Sequence, residues 1–185
     1  MKPQEFKPLQ TARLDLKPLV ATFDFANELF DIISKNKDFF KFIPIIAEVK
    51  TAEEEFDFLR SAERGWRNKT SADYGIYLRG TNDFVGICSF FFKEKNYESG
   101  EIGYWLNPKH SGHGFMAEAL QAISDSFFDM GVKRIQMAIN PDNISSWKTA
   151  EKCGFEREGI MRSRWNNSIL KKREDMALYA KINDK

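Results

Sequence analysis

Both histidines of the chain and a pair of closely spaced glycines fall in one short stretch, Lys109-His110-Ser111-Gly112-His113-Gly114-Phe115-Met116. Glycines separated by a single residue let a backbone turn sharply and approach a ligand with no Cβ in the way. A helix that starts there leaves its first amide N–H groups without internal partners. Those amides and the positive end of the helix dipole attract an anion, phosphate above all. The stretch between Asn107 and Ala117 therefore reads as the seat of a phosphorylated ligand. It lacks the Gly-Lys-Ser/Thr that a nucleotide-hydrolysing P-loop needs after its glycines. The histidines titrate near neutrality, but beside phosphates they read as anion contacts or solvent-exposed groups rather than bases.

The elements that must hold this loop follow from the pattern around it. The segment 13–19 alternates as a strand. Thr22 or Asp24 starts a helix with Phe25, Leu29, Ile32 and Ile33 on one face. Ile43-Pro44-Ile45-Ile46 reads as a loop because Pro44 cannot donate to a ladder. Thr51-Ala52-Glu53-Glu54 has capping-box spacing and opens a second helix toward Trp66. Strands follow at 73–78, 84–93 and 101–106, joined by turns at 79–83 and 95–100, and short connections make them antiparallel.

Past the glycines, Met116, Ala119, Leu120, Ile123, Phe127 and Met130 form one helical stripe, with Gly131 at its C-terminal stop. Residues 134–139 alternate as a strand, reached by a passage long enough for a parallel crossover. Asn143 caps a short helix that ends at Gly154. Segments 155–164 and 172–181 close the chain as a hairpin. The sum is a single α+β domain over residues 1–185 around a twisted central sheet.

Composition removes several function classes. The formal charge is +1, so no global field draws in nucleic acid or an anionic membrane. No apolar run is long enough to span a bilayer, and Met1-Lys2-Pro3-Gln4-Glu5 leads into no signal-like segment. Cys88 and Cys153 cannot build a disulfide framework or a cysteine-rich zinc site. Two reduced thiols in a cytoplasmic protein is the simpler reading. No metal is expected.

With these segments in order, the chain resembles a GNAT-superfamily N-acyltransferase of the RimJ/RimL type, which acetylates ribosomal-protein N-termini. The likeness runs from Thr11-Ala12-Arg13-Leu14 to Leu178-Tyr179. Glu101-Ile102-Gly103-Tyr104-Trp105-Leu106 resembles the family's fourth strand. Lys109 to Gly114 resembles its acetyl-CoA loop, with Lys109 where Gln or Arg is usual. Lys keeps the charge but loses the planar fork. Asn143-Ile144-Ser145-Ser146 resembles the N-x-x-S of the following short helix, and Lys152 to Gly159 the turn after it.

The resemblance implies the GNAT fold, a mostly antiparallel sheet with one splayed parallel strand pair flanked by helices. It implies acetyl-CoA as cosubstrate, its diphosphate on the backbone of Gly112, His113, Gly114, Phe115 and Met116 with Lys109 beside it. Pantetheine would lie along Tyr104, Trp105 and Leu106 in a gap opened by a bulge, with Asn143 nearby. Ser146 would serve the leaving thiolate. The late tyrosine acid of other branches is absent, since Ala150 stands there, and no carboxylate near 161–165 matches the branch's base. Glu101, on the strand that lines the amine's approach, is the remaining candidate base.

The acceptor stays open between a protein N-terminal amine, as on ribosomal proteins, and a small amine such as a polyamine, amino acid or drug. A non-catalytic acyl-CoA sensor on the same fold is the other reading. Trp66, Tyr97, Trp105 and Trp165 are candidates for an acceptor pocket, each also readable as core or rim. Glu48 and Glu53-Glu54-Glu55 would attract a basic acceptor, although a helix start explains the triplet equally well. Oligomeric state, a homodimer included, is not legible.

Overall fold

The computed structural model describes residues 5–183. The reading of the first residues as signal-free falls mainly on residues 1–4, outside those described. An eight-stranded sheet runs β1 (Leu9–Gln10), β2 (Leu14–Pro18), β3 (Ser71–Leu78), β4 (Phe84–Phe92), β5 (Ser99–Leu106), β6 (Arg134–Ile139), β8 (Lys172–Ile182), β7 (Glu156–Asn167) in spatial order. Every neighbouring pair is antiparallel except β5 and β6.

Helices α1 (Phe23–Ser34), α2 (Pro44–Ala47) and α3 (Ala52–Asn68) precede β3; α4 (Phe115–Asp129) and α5 (Ile144–Lys152) flank β6 in sequence. The stripe expected on α4 is buried at Met116, Ala119, Leu120, Ile123 and Phe127. It packs on Ile102 of β5 and on Ile135, Met137 and Ile139 of β6. On the other face, α1 and α3 bury Leu29, Ile33 and Leu59 against Phe84, Ile87 and Trp105. The sheet is thus covered on both sides, and β5 contributes to both cores because its side chains alternate.

Local chemistry explains the helix starts. Thr22 Oγ1 accepts from Phe25 N–H at 3.2 Å, so Thr22 rather than Asp24 caps α1. Thr51 Oγ1 accepts from Glu54 N–H, and the Glu54 carboxylate reaches back to Lys50 N–H at 2.8 Å.

Some boundaries differ from the sequence reading. The expected loop at 43–46 is the short helix α2, because Pro44 sits at its first turn, where a missing N–H costs nothing. The turn expected at 95–100 ends early, since β5 already pairs at Ser99. The two-residue β1 carries no alternation long enough to read. Cys88 and Cys153 are free, buried thiols. No helix of the described residues is long and apolar enough to cross a membrane.

Candidate active site

β5 and β6 pair only at Ser99–Arg134, Gly100–Ile135 and Glu101–Gln136. From Ile102 to Leu106, β5 bonds to β4 alone. Its other edge is left with free backbone donors and acceptors, as on an edge strand. The expected bulge is absent: the β4–β5 ladder keeps its register through Leu106. The opening comes instead from divergence of two parallel strands after a short shared ladder, in the sense of sheet twist.

A cleft of about 820 Å³ fills this opening. Its walls include Tyr104, Trp105 and Leu106 of β5, Met137 and Ile139 of β6, and Asn143 and Ser146 of α5. Gly112, Gly114, Phe115 and Met116 close its mouth. Gly112 and Gly114 adopt φ of +81° and +75°, which a side chain would strain. No side chain caps α4, so its first N–H groups stay available. Asn107 anchors the strand exit, donating to the Phe84 carbonyl and accepting from Lys109 N–H.

Ser146 is held from two sides. Asn143 Oδ1 accepts from its backbone N–H at 3.3 Å, the cap of α5. The Tyr104 phenol lies 3.0 Å from both its carbonyl and its hydroxyl oxygen. Burial pushes the Tyr104 phenol far above its ordinary range, so it stays protonated. Its single proton can serve only one of the two Ser146 oxygens at a time.

Other expected residues stand differently. Lys109 and His113 do not line the cleft. His113 stacks on Phe115 at 5.5 Å and is exposed. Glu101 stands at the closed end of the splay, 3.1 Å from Lys93 Nζ and within reach of the Gln136 amide, and lines neither this cleft nor the one described next.

A second cleft of about 570 Å³ opens on the α1–α3 face of β5. It shares Ile43, Gly103, Tyr104 and Trp105 with the first, so the two adjoin across the strand. A Cβ at Gly103 would meet nothing within 4 Å, so the bare glycine leaves this floor open. Trp105 and Trp165 line the cleft. Trp66 belongs to the aromatic core with Phe6 and Tyr74, and Tyr97 packs edge-on to Phe92.

The acidic triplet is split by the fold. Glu53 is exposed and Glu54 completes the cap of α3. Glu55 is only 4% exposed, lines the second cleft, and its side chain has no hydrogen-bond or ion-pair partner among the described residues. Burial, reinforced by the neighbouring Glu54 charge, pushes its carboxyl up to about 7.

Sequence reasoning also missed the brace behind the glycine loop. Arg13 Nε bonds Glu118 at 2.6 Å, Arg13 Nη1 donates to the His113 carbonyl at 3.0 Å, and the guanidinium lies 4.6 Å from the Phe115 ring centroid. Glu118 also accepts from the Thr11 hydroxyl and Arg13 N–H. Burial alone would raise the Glu118 carboxyl, but these bonds hold it below its ordinary value. Lys148 and Lys152 line the first cleft from one side of α5, where their i,i+4 spacing was the only available signal. Among the described residues no cluster of three or more His, Cys, Asp or Glu is placed to hold a metal.

A sheet splayed at one parallel pair, with an uncapped helix at its mouth, is the architecture of acyl-CoA-dependent N-acyltransferases. The family described as "Acetyltransferase (GNAT) domain" matches residues 13–156, and the chain belongs to it. A Bacillus subtilis (strain 168) protein named "Probable N-acetyltransferase YjcK" is 28% identical over 80% of this chain and 82% of its own length. The ribosomal-protein-serine acetyltransferase of Escherichia coli (strain K12) is 32% identical over 56% of this chain and 57% of that protein. Among solved structures, RimL, a ribosomal L7/L12 alpha-N-protein acetyltransferase in complex with coenzyme A, superposes with a TM-score of 0.85 at 24% identity. It covers 96% of this chain and 99% of that one. The microcin C7 self-immunity acetyltransferase MccE, in complex with acetyl-CoA and AMP, gives 0.83 at 24% identity over 94% of each chain. At that identity the superpositions speak for the fold.

Proposed function

We propose that this protein transfers the acetyl group of acetyl-CoA to a primary amine, most readily the N-terminal amine of a polypeptide. The observation that carries the reading is the β5–β6 divergence, with the uncapped start of α4 at one end and Ser146 across the gap. The diphosphate of coenzyme A would rest on the N–H groups of the glycine turn. Pantetheine would pair with the free edge of β5 from Tyr104 to Leu106, as an added strand. The thioester would then face Ser146.

In the reaction the neutral amine attacks the thioester carbonyl, the C–N bond forms and the C–S bond breaks. An edge N–H of β5 supports the oxyanion, and the Ser146 hydroxyl hydrogen-bonds the departing sulfur and supplies its proton. The nitrogen's second proton replaces the one that leaves on the thiol, so the sum is amide, free coenzyme A and the proton the ammonium had lost. Glu101, ion-paired to Lys93, has no proton-transfer step in this reading. An α-amine titrates at roughly 8, against roughly 10 for a lysine, and is deprotonated more readily. Carboxylates on the second cleft, Glu48, Glu54 and Glu55, suit a cationic acceptor.

The test is acetyl-CoA with a panel of peptides and small amines, read as coenzyme A release and as the mass of the product. Ser146→Ala should retain acetyl-CoA binding by calorimetry while turnover falls about 10²-fold. Tight acetyl-CoA binding without turnover on any amine would favour a sensor. No binding at all would discard the reading.

A further inference from the structure

The reading above, on which this inference rests, leaves open what removes the ammonium proton and what the acceptor looks like beyond its amine. We infer that Glu55 receives the acceptor's ammonium group and takes its proton, and that the accepted amine carries a large apolar or aromatic side chain next to it. The geometry behind this is the second cleft. It shares Gly103, Tyr104 and Trp105 with the cleft proposed for the thioester, and even a Cβ added at Gly103 would meet nothing within 4 Å, so the space beside this shared strand is open.

Apart from its carboxylates, the cleft is dominated by apolar groups: Ile45 and Val49 from the α2 region, Phe58 from α3, Phe91 from β4 and Trp165 from β7. Such walls reward an apolar body and give a polar one little to bond. Against this lining stands one buried carboxyl with no partner of its own. An unpaired buried carboxylate is costly, and an incoming ammonium relieves that cost. The other charged groups lining the cleft are Glu54 on the same helix, whose charge acts on Glu55, and Glu48 at the end of α2. No Lys, Arg or His lines the cleft from α2, α3, β4, β5 or β7. A carboxyl pushed up to about 7 is also a far better match to an amine than an ordinary one.

In the step itself, a carboxylate oxygen of Glu55 takes one proton from the ammonium, leaving the lone pair for attack. Glu55 later releases that proton to solvent. The substrate class is therefore a primary amine on a hydrophobic residue or amine of similar shape, and not the small polar N-terminus of a serine-starting protein.

The experiment compares peptides identical except for a first residue of Phe, Leu, Met, Ser or Asp, with phenethylamine and spermidine as small amines. We expect kcat/KM to favour Phe, Leu and Met over Ser and Asp by ~10-fold or more. Glu55→Gln should lower kcat/KM about 10²-fold, with acetyl-CoA affinity kept in calorimetry. The wild-type kcat/KM should rise with pH around 7. In Glu55→Gln that rise should be replaced by one following the free amine, at roughly pH 8. Glu55→Asp should restore part of the lower-pH limb. Efficient transfer to Ser-starting peptides, or a pH profile that Glu55→Gln leaves in place, would overturn this inference while leaving acetyl transfer intact. Absence of both turnover and acetyl-CoA binding would overturn the two together.

Discussion

The phenol of Tyr104 and the hydroxyl of Ser146 lie 3.0 Å apart across the splayed strands, one from β5 and one from the first turn of α5. When the phenol donates to Ser146 Oγ, the serine proton is free to point into the cleft; when it donates to the Ser146 carbonyl, the phenol oxygen can accept from that hydroxyl. The pair is thus a two-position switch for one proton, poised beside the place proposed for the thioester sulfur. Tyr104→Phe should lower kcat about 10-fold and leave the KM for acetyl-CoA close to wild type, checked by steady-state kinetics. An equal loss in both parameters would mean that Tyr104 only supports packing.

The glycine turn is constrained by backbone and not by space. A Cβ at Gly112 meets nothing within 4 Å, and one at Gly114 meets only Arg13 Nη2 at 3.8 Å. Gly112→Ala and Gly114→Ala should each cost about 1–2 kcal/mol from positive φ alone. Acetyl-CoA affinity in calorimetry should also weaken, because in the proposed pose the methyl would stand where the diphosphate approaches. Retained affinity in both would remove the loop from the binding site.

The Arg13–Glu118 brace fastens the turn before β2 to the first turn of α4. Arg13 is half exposed, so the pair itself contributes within about 1 kcal/mol. Its proposed worth is positional, since Arg13 Nη1 also occupies the His113 carbonyl of the glycine turn. Arg13→Ala should raise the KM for acetyl-CoA several-fold with kcat nearly kept, and the difference should narrow as salt rises.

Glu55 makes stability depend on pH in an unusual direction. Its folded carboxyl titrates at about 7, above the ordinary value of 4.5. Between those values the folded chain binds more protons than the unfolded one, so stability falls as pH rises. The loss approaches ~3 kcal/mol above pH 7 as an upper bound. Glu55→Gln should therefore melt several degrees higher than wild type at pH 8 and close to it at pH 4. No difference between the two pH values would mean that Glu55 is solvated in the free protein.

Asn167 ties the β7–β8 hairpin to the loop before α2. Its amide, fully buried, donates to the Lys41 carbonyl at 3.0 Å and to Glu174 at 2.6 Å. Asn167→Ala leaves both acceptors short of a donor, at about 1–3 kcal/mol. Because Lys41 lies in the loop that leads to Ile43 and α2, acceptor KM should rise while acetyl-CoA affinity holds. Thermal melts and two-substrate kinetics check this.

Most of the elements and the glycine turn ahead of α4 were legible in local sequence. Apolar spacing marked α4 and placed β6 at residues 134–139, capping chemistry marked Thr51 and Asn143 and narrowed the start of α1 to Thr22 or Asp24, and the spacing of Gly112 and Gly114 marked the turn proposed as an anion seat. These are local signals, carried by residues within a few positions of each other. The position of Glu55 was not such a signal. Its two neighbours are exposed or capping, and only the packing of α3 over β4 and β5 turns the third carboxylate inward to line the second cleft and removes most of its solvent contact. The bond between Tyr104 and Ser146 is equally invisible, because the strands that carry them together must first part beyond Glu101. Only the assembled fold buries Glu55 and brings Tyr104 against Ser146, since desolvation and approach across distant elements are properties of the packed molecule and of no single segment.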